Sequence, residues 1–130
     1  MIVAEVLALV GGALSMQLNG GDALTIADKA YEWAPEHRDG WRLTGVKARV
    51  KAVSSSGNVT LTLKINGTSM LSTNITIEEG EGSSETATTQ PVIDTAHNVI
   101  ETGDEIEAGC SGAGAGVTFC TIYPVFSPPE

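Results

Sequence analysis

Three stretches of this chain alternate apolar and polar residues with a period of two, and that alternation leaves little choice of architecture. Val46, Ala48, Val50 and Ala52, with Thr44 before them, alternate with Lys47, Arg49 and Lys51. Val59, Leu61, Leu63 and Ile65 alternate with Thr60, Thr62 and Lys64, and Leu71, Thr73, Ile75 and Ile77 form a third run. Each is the pattern of a strand with one buried face. Asn66-Gly67 stands between the second and third runs, and this dipeptide best supplies the positive φ angles of a two-residue hairpin. Shorter apolar pieces follow at roughly ten-residue spacing, among them Val92-Ile93, Val99-Ile100, Ile106 with Ala108, and Val117 to Val125. Leu24–Ile26 and Lys29–Trp33 read as one bent or split strand. The pattern predicts an all-β antiparallel sandwich over about residues 22–126. Its expected core holds Val46, Ala48, Val50, Leu61, Leu63, Ile65, Leu71, Ile75, Ile77 and Ile106.

Composition agrees. Aromatics are 5% of the 130 residues while 42% are hydrophobic, so the core is built from aliphatic side chains. Fifteen glycines with many Ser and Thr suit a turn-rich β-protein. The formal charge of -9 argues against a nucleic-acid partner, which requires net positive charge at the contact. The longest apolar run, Ile2 to Val10, is too short for a membrane helix and carries Glu5. It has no basic residues before it, so neither a secretory signal nor membrane association is expected.

Residues 1–20 differ from the rest and divide the chain into an apolar N-terminal arm (1–20) and a sandwich domain (21–130). Ile2, Val3, Val6, Leu7, Leu9 and Val10 precede a Gly11-Gly12 break. Buried, such side chains contribute about 1.5–3 kcal/mol each; exposed, they form an adhesive patch. The arm is therefore expected to pack on another chain, a neighbouring copy in a closed trimer or a larger shell. Arg42, Lys47, Arg49 and Lys51 are four of the seven basic residues and form a stripe in an acidic protein. They read as a solvated strand face or as a contact for an acidic surface, and join the arm as the candidate assembly interface.

Cys110 and Cys120 flank Ser111-Gly-Ala-Gly-Ala-Gly116, which reads as a hairpin tip. A symmetric hairpin would face the thiols across a ladder; the alternative is two small buried hydrophobes kept reduced. In the last strand the odd positions (Val117, Phe119, Tyr123, Val125) are expected inward because they bury more apolar area, which turns Ile122 outward.

No constellation carries catalysis. Asp94, Glu101, Asp104, Glu105 and Glu107 lack a calcium-loop spacing and read as an acidic rim, with Asp104 bonding backbone in its turn. Glu78, Glu79 and Glu81 lie on a bend with no aromatic sugar platform around them. His37 sits in a polar loop with no nucleophile elbow nearby, and no metal or cofactor is expected. Asn58, Asn66 and Asn74, each in an Asn-x-Thr sequon, read as turn and strand-edge residues.

From Trp41 to Phe126, about two thirds of the chain, the sequence resembles small β-sandwich modules of tailed-bacteriophage virions. The resemblance is carried by Leu43-Thr-Gly45-Val-Lys-Ala48-Arg-Val50 and Val59-Thr-Leu-Thr-Leu-Lys-Ile-Asn66-Gly67-Thr-Ser-Met-Leu71-Ser-Thr. It continues through Ile75-Thr-Ile-Glu-Glu-Gly80, Thr86-Ala87-Thr88, Val92-Ile93-Asp94, Gly103-Asp104-Glu-Ile106 and Gly114-Ala-Gly116-Val117-Thr118. The family implies a jelly-roll-like sandwich, commonly trimeric, that decorates virions or contacts hosts; the two cysteines are not part of its pattern. The resemblance implies no enzyme but a structural virion protein made in the bacterial cytoplasm. A module behind a short apolar arm suits a capsid decoration (cement) protein, a self-associating trimer bound to the major capsid protein. The alternative is a receptor- or carbohydrate-binding module of a head, neck or tail fibre, for which Tyr31, Trp33 and Trp41 are the candidate aromatics.

Overall fold

A computed structural model describes residues 14–34 and 38–129. Those residues form an all-β antiparallel sandwich without an α-helix. One sheet has three strands, β1 (Met16–Gln17), β10 (Thr121–Ser127) and β3 (Arg42–Arg49), in the order β1-β10-β3. The other has β2 (Lys29–Trp33), β9 (Glu105–Ala113), β4 (Val59–Ile65) and β5 (Thr68–Ser69) in that order, and β7 (Ile75–Ile77) also pairs with β4. β6 (Leu71–Thr73) and β8 (Val92–Ile93) form a separate pair.

The centre of the fold is β4, whose burial alternates along its whole length as its sequence does. Leu61 lies opposite Cys110, Leu63 opposite Ala108, and Ile65 opposite Ile106, so one face of β4 and β9 fills the core. Every expected core residue is buried except Val50, which is half-buried against the cluster. Asn66 (φ 48) and Gly67 (φ 86) turn β4 into β5 with Lys64 opposite Ser69, the hairpin that the dipeptide predicts. The third alternating run is not one strand. It breaks at Asn74: Leu71–Thr73 pairs with β8, while Ile75–Ile77 returns to β4. Of the bent strand expected before residue 34, only Lys29–Trp33 is extended; Thr25 and Asp28 close a turn through Asp28 N–H to Thr25 C=O.

Two expectations about faces are corrected. In β3 the inward residues are Leu43, Val46 and Ala48, and Thr44 is exposed. The register slips between Val125 and Phe126, opposite Gly45 and Leu43, so two adjacent residues, Thr44 and Gly45, share the outer side. In the last strand the even positions point inward: Cys120 and Ile122 are fully buried and Phe126 nearly so, while Phe119 is 41% exposed. The cause is Phe119 itself, held at φ 49, which resets the alternation between Val117 and Cys120.

The Gly-rich segment is also not a hairpin tip. β9 and β10 belong to different sheets, so the chain crosses from one sheet to the other through residues 114–120. The two cysteines therefore face no common ladder; both are free thiols buried in the interior. Ser54, itself buried, anchors the crossing. Its hydroxyl donates to Gly57 C=O (2.7 Å) and accepts from Ala115 N–H (3.1 Å). Asn19 holds the far end, donating to Val117 C=O (3.0 Å) and accepting from Cys120 N–H (2.8 Å). The described part of the expected arm is thus built into the fold: Met16 lies opposite Ile122 in the core, and Leu14 N–H bonds Pro124 C=O.

Candidate interaction surfaces

The arm residues Ile2, Val3, Val6, Leu7, Leu9 and Val10 lie outside the described residues, as does His37. Arg42, Lys47, Arg49 and Lys51 are described, and the fold separates them. Lys47 and Arg49 project from the outer face of the three-stranded sheet, opposite Tyr123 and Thr121. Glu85, in a 3₁₀ turn at Ser84–Thr86, reaches that face. Its carboxylate lies 3.0 Å from Lys47 Nζ and 3.8 Å from Arg49 Nη2, and the pair holds the Glu85 carboxyl below its usual range. All three side chains are well exposed, so the contacts fix geometry more than they stabilise. Lys51 lies past the end of β3, with its ammonium 5.6 Å above the exposed Phe119 ring. Arg42 is half-buried at the start of β3, bridged to Val99.

Glu85 has no signal in the sequence; it is one carboxylate in a polar run of Ser and Thr. The 3₁₀ turn brings it to β3, because Ser83 Oγ accepts from Glu85 N–H and the buried Ser84 Oγ accepts from Ala48 N–H. A polar residue in the core-facing layer thus aims an acid at the basic stripe.

The three aromatics considered together in the sequence part company. Trp41 is half-buried against the core, with the Arg38 guanidinium 4.2 Å over its ring. Tyr31 and Trp33 stay together on β2. They lie opposite Glu107 and Glu105, on the outer face of the five-stranded sheet, 44% and 61% exposed. Ile26, in the turn before β2, is 65% exposed at the same edge.

Two carboxylates of the acidic rim, Asp104 and Asp94, are engaged by the fold, as is Asp39 beside it. Asp104 accepts from Glu101 N–H (2.8 Å) and from Asn66 Nδ2 (2.9 Å), locking the turn before β9 to the β4–β5 hairpin. Asp39 accepts from the Thr102 N–H and hydroxyl, and Asp94 bonds His97 Nδ1 at 2.9 Å; both carboxyls are held below their usual range by these bonds. Among the described residues no three His, Cys, Asp or Glu side chains come together as a metal site, and no helix is long and apolar enough to cross a membrane. A groove of about 500 Å³ is lined by Arg42, Leu43, Ile93, Thr95, Asn98 and Pro128. Asn98 is committed there, donating to Leu43 C=O at 3.1 Å.

Burial raises both thiols, Cys120 to about 12, where the nearby Cys110 adds to the effect. Such thiols are protonated and inert at neutral pH. Compared with known proteins, the chain matches no family model and no curated protein.

Proposed function

We propose that this chain is a structural virion protein of a tailed bacteriophage, a decoration protein held on the head lattice as a trimer. The virion class rests on the resemblance of Trp41–Phe126, and within it the sandwich would be jelly-roll-like. One observation favours attachment through the arm and the basic stripe. β1, where the apolar segment enters the fold, and β3, which carries Lys47 and Arg49, share one three-stranded sheet. A lattice-binding face built there joins apolar burial from residues 1–13 to Lys47 and Arg49. Glu85 offsets their charge only in part, and the remaining positive charge sets orientation and association rate.

The test is quantitation of the protein against the major capsid protein in purified particles, with a truncation beside it. Hundreds of copies support decoration, and a handful would move the protein to a neck or fibre. Removing residues 1–13 spares Met16, Leu18 and Asn19, which the sandwich uses, so the truncated chain is expected to fold but to lose its trimer and its binding to particles. Unchanged sizing and particle binding would remove the arm from assembly.

A further inference from the structure

The attachment proposal leaves the opposite sheet without a role, and that sheet carries the largest exposed aromatic surface of the described residues. We propose that the outer face of the five-stranded sheet binds neutral carbohydrate, with Tyr31 and Trp33 as its stacking platform. The inference rests on this face alone and holds or fails independently of where the protein sits.

Tyr31 and Trp33 are two residues apart on one strand, which sets their Cα atoms about 7 Å apart on a rigid backbone. Close enough for one disaccharide to cover both, the rings offer the electron-rich faces on which the C–H side of a pyranose stacks. Polar groups continue the two rows inward across the sheet. Tyr31 lies beside Glu107 and then Lys64; Trp33 lies beside Glu105 and then Asn66, whose amide is committed to Asp104 and to the Glu105 N–H and closes that row. In the third row Lys29 is opposite Gly109 and then Thr62. Gly109 is buried there, and the space that a Cβ would take is already filled by Thr62 Oγ1 at 2.9 Å, with Glu107 and Lys29 beside it, so these three polar side chains close over the backbone. Carboxylates accept from sugar hydroxyls, while ammonium and threonine hydroxyl groups donate to them.

Charge selects the ligand class. Glu105 and Glu107 are matched by Lys29 and Lys64, and among the described residues none of the four makes an ion pair. A balanced face with unengaged polar groups favours neither a polyanion nor a polycation. It also fits the core of a protein interface poorly, because such cores are depleted in Lys and Glu. A polyhydroxylated ligand with one apolar side satisfies both the rings and the polar rows.

The experiment titrates the purified full-length chain with maltotetraose, cellotetraose, chitotetraose and mannotetraose, with a heparin tetrasaccharide as the anionic comparison. Amide NMR shifts and tryptophan fluorescence are the readouts. One neutral series is expected to shift the amides of Lys29–Trp33 and Glu105–Gly109 saturably, and heparin is expected to leave them in place. Tyr31→Ala and Trp33→Ala should each weaken binding about tenfold with an unchanged fold, whereas Trp41→Phe should not weaken it. The proposal is overturned if no neutral oligosaccharide shifts these amides, if binding survives both alanine variants, or if heparin binds the same face. It is also overturned if either alanine variant dissociates an oligomer, since the face would then belong to a second copy.

Discussion

Two Gly-containing connections behave differently: the two-residue β4–β5 hairpin and the seven-residue crossing from β9 to β10. The hairpin is made by its own residues. Asn66 and Gly67 adopt positive φ and strand pairing resumes at once; Asn66 then bonds Asp104 and Glu105, which ties this local turn to the start of β9. The crossing looks similar in sequence, a Gly-rich stretch between two apolar runs, yet it pairs no strands. It turns at Gly114, Gly116 and Phe119, all at positive φ, and its path is held by Ser54 from one side and Asn19 from the other. A local turn fixes register through backbone preference. The crossing is fixed by hydrogen bonds over sequence separations of 61 and 98 residues.

The sharpest way to break the crossing is Gly114→Val. Gly114 has φ +62, and a Cβ would fall 2.4 Å from Ser54 Oγ. Strain and steric clash together should cost about 3 kcal/mol or more, read from the midpoint of urea unfolding. A loss below ~1 kcal/mol would show that the crossing yields more easily than its geometry implies.

Ser54→Ala comes next. It leaves Gly57 C=O and Ala115 N–H without the hydroxyl that serves both, at an expected cost of about 1–3 kcal/mol. Amide exchange near residues 114–116 should accelerate more than exchange in β4. Uniform acceleration would mean that Ser54 does not act on the crossing in particular.

The thiols at either end of this region give a pH signature. Burial favours their protonated forms, so folded Cys120 titrates near 12 and Cys110 above its ordinary 9.0. In the window from pH 9 to about 12 the unfolded chain has released protons that the folded chain keeps. The contribution is therefore complete below pH 9 and lost as pH rises, with a slope approaching about 1.4 kcal/mol per pH unit for one thiol. The measurement is stability against pH for the parent and for Cys120→Ala. An unchanged alkaline slope in the variant would assign the loss to other groups.

The smallest effect belongs to the hairpin. Gly67 has φ +86, but a Cβ there meets no atom within 4 Å. Gly67→Ala should cost only the left-handed strain, about 1 kcal/mol, with β4 and β5 still paired by NMR. A larger loss than for Ser54→Ala would reverse the contrast between the two turns.

The sandwich was legible because its central strands are buried on one face only, and period-two alternation is the direct consequence. The candidate surfaces were legible only in part. The basic stripe could be read as a row, but not that Glu85 crosses to Lys47 and Arg49, because a contact over 38 residues of sequence leaves no local trace. The aromatic trio could be read as a neighbourhood, but not that Arg38 covers Trp41 while Tyr31 and Trp33 turn outward.

What the residues determined by themselves is whatever depends on near neighbours: alternation in β4, the Asn66-Gly67 turn, the Asp104 turn, and an aliphatic all-β core. Tertiary structure decided the rest. The even face of β10 was set by Phe119 at φ 49, and the paths of β6 and β7 diverge where Asn74 parts them. Cys110 and Cys120 lie inside the core because β9 and β10 join different sheets. One residue at positive φ inverts every face after it, and which sheet a strand joins depends on the partners offered by the whole chain.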